Sequence, residues 1–267
     1  LRPPARVASP TVTSPKPRPN RRPEVPPVFS TSMNEGWRTV WILALTSLLA
    51  DISGEMMVAV LPLLLVGQGA TGLAVGLFGA VSEVVGNLTK WLGGRLGDRV
   101  KRPRLLVVGG YAGAGAARVG IALASTWWGS MIWRSADRVG KGLRTAPRDA
   151  ILSAAAPAGE KGRAFGLHRA ADTTGAFVGV LGALALLAFT GLSAANIVLV
   201  AAVVGVAATL PLLFLREPKV KPANLPRSAP RAAGFWVFVA VSGLFAAGQS
   251  SVLFFLLLAI IFKPAHA

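Results

Sequence analysis

Cysteine is absent from the 267 residues, and histidine occurs only at His168 and His266. Without thiols there is no disulfide framework, thiolate nucleophile, iron–sulfur cluster or cysteine-type zinc site. Two histidines do not make a histidine-rich metal centre, so neither a metal nor a cofactor is expected. Acidic residues are scarce too: 11 Asp and Glu stand against 28 Lys and Arg, a formal charge of +17. Charged residues make up only 15% of the chain, against about 25% in soluble domains. Hydrophobic residues make up 53%, and the mean hydropathy is +0.57. So apolar a chain carries this much positive charge only if the charges are crowded into a few places, which in a membrane protein are its cytoplasmic loops. Lipid, not nucleic acid, is the partner this basicity implies.

Residues 1–32 hold nine of the nineteen prolines, six Lys or Arg and one acid, with no apolar period. Such a composition cannot bury a core and reads as a disordered Pro/Arg-rich tail. Two origins stay open for it: an upstream extension with Met33 as the natural start, or a basic tail lying on anionic lipid. Beyond it come long apolar segments, expected to be spans at 38–66, 71–91, 105–124, 127–154, 164–189, 194–215 and 235–262. Residues 33–215 thus read as a six-helix bundle, 216–233 as a basic cytoplasmic linker and 234–267 as a seventh transmembrane helix.

The breaks between spans sort by charge. Residues 67–70, the Ser125–Thr126 break and residues 190–193 are neutral. The alternate breaks carry Arg95, Arg99, Lys101, Arg102 and Arg104, then Lys161 and Arg163, then Arg216, Lys219, Lys221, Arg227 and Arg231. This alternation predicts a multi-pass protein of the cell membrane with its N-terminus in the cytoplasm.

Within the spans the ionisable residues fall on faces. In the fourth, Arg134, Asp137, Arg138, Lys141, Arg144, Arg148 and Asp149 lie within an arc of roughly 140° at 100° per residue. Charges at membrane depth are costly and should face a water-filled cavity or partner helices. The bland alternative is a helix that surfaces near Lys141, with a structural Asp–Arg pairing farther out. The first span carries Asp51 and Glu55 one turn apart, the second Glu83, Asn87 and Lys90, and the fifth His168, Arg169 and Asp172. His168 reads as a hydrogen-bond donor at the cytoplasmic end or as a proton relay. Arg118, alone in the third span, reads as a structural pairing rather than a substrate contact. Gly175, Gly179 and Gly182 recur on the fifth span at a spacing that lets helices approach closely. There is no metal-ligand cluster, nucleophile elbow or phosphate-binding loop, so an enzyme is not expected.

The run GGRLGDRVKRPR, residues 93–104, resembles the signature loop of the major facilitator superfamily. Gly94, Leu96, Asp98, Arg99 and Arg102 match it, while Lys101 stands where that family has glycine and Pro103 where it has a second base. Arg138, Gly142 and Ala146 resemble the family's fourth-helix motif, with Lys141 in place of glutamine and Arg144 in place of a glycine. The glycines of the fifth span resemble its fifth-helix motif, with Val180 in place of proline. DISGEMM (51–57), DRVGKGLRTAPRDA (137–150) and GRAFGLHRAADTTGAFVG (162–179) look like one prokaryotic subgroup of such permeases.

The resemblance implies an all-α polytopic membrane helix bundle, half of a major-facilitator-type transporter with about seven transmembrane helices, and a secondary active transporter of a small solute coupled to protons. It implies that Gly94, Asp98, Arg99 and Arg102 form a cytoplasmic gating loop and that Arg138 takes part in proton coupling. The expected substrate and proton pathway comprises Asp51, Glu55, Glu83, Asn87, Arg134, Asp137, Arg138, Lys141, His168 and Asp172. A complete transporter of this kind has two six-helix halves, so a truncated chain is expected. A half-transporter acting as a dimer, and a non-transporting remnant or membrane scaffold, are the alternatives.

Overall fold

In the computed structural model, the residues described are 33–100, 102–216, 237 and 241. They form α1 (Met33–Gly67), α2 (Gly72–Gly97), α3 (Pro103–Leu123), α4 (Trp127–Ala155), α5 (Lys161–Thr190) and α6 (Ala194–Ala207), followed by a 3₁₀ turn, Leu210–Phe214. The neutral and basic breaks begin their helices differently. At the neutral ones, Thr71, Thr126 and Ser193 each accept a hydrogen bond from the backbone N–H three residues on, closing a donor the helix start leaves open. At the basic ones, Arg102 precedes Pro103, whose missing N–H needs no cap, and Glu160 makes no side-chain cap. Thr126→Ala should therefore lower stability by about 1 kcal/mol, read as a lower thermal midpoint in detergent, whereas Glu160→Ala should leave that midpoint in place.

The helices pack side by side in the order α5, α1, α6, α3, α4, α2, and a thinner α1–α4 contact closes the middle. Exchanging α1 with α4, α2 with α5 and α3 with α6 returns the same order reversed. The packing order is thus symmetric under exchange of the two three-helix units, as in the repeats of membrane transporters. Two apolar clusters fill its ends. One gathers Met57, Leu61, Leu65, Phe78, Ile121 and Ile197; the other gathers Leu43, Tyr111, Ile151, Leu152 and Leu212.

Outside, the surface is apolar. Leu73, Leu123, Phe177 and Phe189 are 85%, 73%, 66% and 88% exposed, which suits acyl chains and would be a liability in water. Among the described residues, five segments are long and apolar enough to cross a membrane: residues 35–67, 72–97, 103–123, 161–190 and 194–214. The expected fourth span is a helix of 29 residues, but its charges keep it outside that set. It stands in the bundle because α2 and α3 flank it on both sides. The sixth span is not one continuous α-helix: it breaks after Ala207 and ends in the 3₁₀ turn around Pro211, where Arg104 donates to the carbonyls of Leu212 and Leu213. The seventh expected span, the linker beyond residue 216 and the tail before Met33 lie outside the described residues, apart from 237 and 241.

Candidate functional site

The stripe on α4 divides into three layers. In the innermost, Asp137 is shared by two arginines. Its Oδ1 accepts from Arg118 Nε of α3 at 3.1 Å, and its Oδ2 from Arg134 Nη1, one turn back on α4, at 2.9 Å. All three side chains are at most 5% exposed. Arg118 also donates through Nη1 to the Ala50 carbonyl and to Ser53 Oγ on α1, and Ser53 donates to the Ala201 carbonyl on α6. Arg144 is buried as well. Its guanidinium lies 3.7 Å from the Tyr111 ring centroid, a cation–π contact, and it donates to the Gly110 carbonyl.

The second layer opens outward. Lys141 Nζ meets Asp51 Oδ1 of α1 at 3.4 Å, and Arg138 Nη2 meets Glu83 Oε1 of α2 at 3.4 Å. Exposure of these side chains runs from 19% at Asp51 to 65% at Glu83. Glu55 is half-buried one turn beyond Asp51. Asn87 is exposed and accepts from Lys90 of its own helix at 3.3 Å, so it does not join Glu83 in the cross-helix pairing.

The third layer joins α1, α4 and α5. Ser47 donates to Asp172 Oδ1, and Arg148 Nη1 donates to Ser47 Oγ while Nη2 pairs with Asp149 at 2.9 Å. His168 is buried, with Nε2 3.8 Å from Asp172. Beyond Lys141 the α4 helix continues to Ala155, and Arg144 is 3% exposed, packed within the bundle rather than standing as a free surface charge.

The loop after α2 sits apart from these layers. The Asp98 N–H closes the helix on the Gly94 carbonyl, and Asp98, Arg99 and Arg102 are exposed. Gly94 and Gly97 face Ala146 and Pro147 of α4. Lys101 lies outside the described residues.

Arg118, read from the sequence as a structural pairing, makes one with Asp137. It lies on the α3 face that also buries Tyr111, Ala114, Gly115 and Ile121. Helical spacing therefore placed it inward, but which acid it meets depends on the α3–α4 packing. Ser47 and Ser53 were missed because a hydroxyl within an apolar helix does not stand out by charge, and Tyr111 because its face reads as ordinary core.

The fold and its charge layers define an all-α polytopic membrane bundle corresponding to half of a major-facilitator-type transporter. Residues 43–264 match the Major Facilitator Superfamily, and the chain belongs to that family. It is 34% identical over 230 residues to an uncharacterized MFS-type transporter of Methanocaldococcus jannaschii, covering 82% of this chain and 56% of that protein. An uncharacterized protein of Mycobacterium tuberculosis is 32% identical over 214 residues, covering 76% and 52%. The chain thus spans about half the length of these relatives. Among solved structures, a peptide transporter POT in complex with sulfate shares the fold at a TM-score of 0.61 and 17% identity, covering 86% of this chain and 47% of that one.

Proposed function

We propose that the chain forms the N-terminal six-helix half of a secondary active transporter that couples the movement of a small solute to protons. The basic breaks support a cytoplasmic N-terminus, and the DISGEMM, DRVGKGLRTAPRDA and GRAFGLHRAADTTGAFVG strings support a likeness to one prokaryotic permease subgroup. In transporters of this architecture the site lies near the midplane between two rocking halves.

The observation that carries this reading is the open layer, Lys141–Asp51 and Arg138–Glu83, each pair joining α4 to a different helix at 3.4 Å. Partly solvated pairs are worth little, so a proton or a charged solute group displaces one partner at small cost. Protonation of Asp51 frees Lys141; loss of the proton restores the pair. Glu55 and Glu83 offer further exchange positions, and His168 with Asp172 continues the route toward the cytoplasmic end. The Asp98–Arg99 loop, exposed beside α4, acts as the gate.

The test joins this bundle to the second half of an intact relative and reconstitutes the whole into vesicles that hold a pH-sensitive dye. Solute addition should move protons, and Asp51→Asn, Glu55→Gln and Arg138→Gln should each bring that flux to the level of empty vesicles. Unchanged proton flux in all three variants overturns the proposed roles. A folded protein without flux supports the scaffold reading.

A further inference from the structure

We propose that Arg118 is a positioning residue that holds Asp137 as a fixed counter-ion, outside the set of carboxylates that exchange protons, and that sets Asp51 opposite Lys141. The functional meaning rests on the proton-coupled reading above, but the geometry stands without it.

Both carboxylate oxygens of Asp137 are taken, one by each guanidinium, and the group is shielded from water. Protonating it would strand two buried cations. Asp51 and Glu83 each face one cation at 3.4 Å and keep contact with solvent. Asp137 is therefore locked, whereas Asp51 and Glu83 are open.

Arg118 reaches α1 at the Ala50 carbonyl and at Ser53 Oγ, which bracket Asp51 in sequence. The same guanidinium that locks Asp137 thus fixes the turn of α1 that presents Asp51. Room for it comes from small residues. A Cβ at Gly205 would lie 2.7 Å from Ser53 Oγ and 3.0 Å from Arg118 Nη1, and one at Gly54 would lie 3.5 Å from Arg118 Nη2. The planar fork is what makes three contacts from one side chain; an ammonium is a point charge and cannot span them.

The experiment is infrared titration of the purified chain in nanodiscs without solute, so its outcome is independent of any flux. The chain has five aspartates, Asp51, Asp98, Asp137, Asp149 and Asp172. With the other four changed to Asn and the remaining aspartate ¹³C-labelled, Asp137 should show no protonated carboxyl band down to the pH at which the chain unfolds. A titrating band there overturns the fixed counter-ion. Adding Arg118→Lys to that background should bring a titrating band into the acid range, and its absence would show that Arg118 does not lock Asp137. In the otherwise unmutated chain, the band removed by Asp51→Asn should shift its midpoint on Arg118→Lys; an unmoved midpoint overturns the positioning role. Circular dichroism at each step separates these outcomes from loss of fold.

Discussion

Asp137→Ala should destabilise the bundle by about 3–5 kcal/mol, the cost of breaking a buried ion pair from one side. The reason is the two cations it leaves behind. Arg118 and Arg134 both point their donors at this carboxylate, and both side chains are at most 5% exposed. Neither can turn to water without opening the α3–α4 contact. The loss should spread: Arg118 also ties Ala50 and Ser53, and Ser53 ties Ala201, so α1 and α6 loosen with α3 and α4. Glu83→Gln is the control. Its carboxylate is 65% exposed and meets Arg138 at 3.4 Å, so the change should cost at most about 1 kcal/mol. Denaturant unfolding in mixed micelles, followed by far-ultraviolet circular dichroism, compares the two. Equal losses would mean that the inner layer is not shielded as its geometry indicates.

That contrast also marks where sequence reading stopped. The α4 stripe was legible because seven charges in one helix have a helical period and because lipid cannot receive them. Their division into locked and open members was not. Asp137 and Asp51 are the same residue type in the same kind of segment, and what separates them is a second guanidinium on Asp137. That guanidinium comes from α3, whose only charge between Leu105 and Leu123 is Arg118. Asn87 illustrates the converse. It shares a helical spacing with Glu83 and is exposed like it, but it pairs with Lys90 of its own helix, because α4 meets α2 through Gly86, Thr89 and Gly93. Periodicity identified the faces; the partner of each face was set by the pseudo-symmetric packing order.

Gly179→Leu should disrupt the bundle strongly, and Gly175→Leu equally so. A Cβ at Gly175 would lie 2.5 Å from the Leu48 carbonyl oxygen, and one at Gly179 would press on the Ile52 carbonyl in the same way. These neighbours are main-chain atoms of α1, which cannot swing aside as a side chain does. Alanine at either position should cost about 1–3 kcal/mol, the usual range for overpacking, and leucine should force α5 away from α1. Gly182 continues the spacing but meets only the Met56 methyl at 3.1 Å, so Gly182→Ala should cost less than either. Gly166 has open space, and Gly166→Ala should stabilise by about 0.5–1 kcal/mol through helix propensity alone. The functional consequence lies one turn away, where Asp172 reaches Ser47 across the α1–α5 contact. Distances between spin labels on α1 and α5 should lengthen in Gly175→Leu and Gly179→Leu and stay fixed in Gly166→Ala. An unchanged separation in the leucine variants would mean that α1 and α5 do not pack backbone to backbone, and the Asp172–Ser47 bond would lose its structural basis.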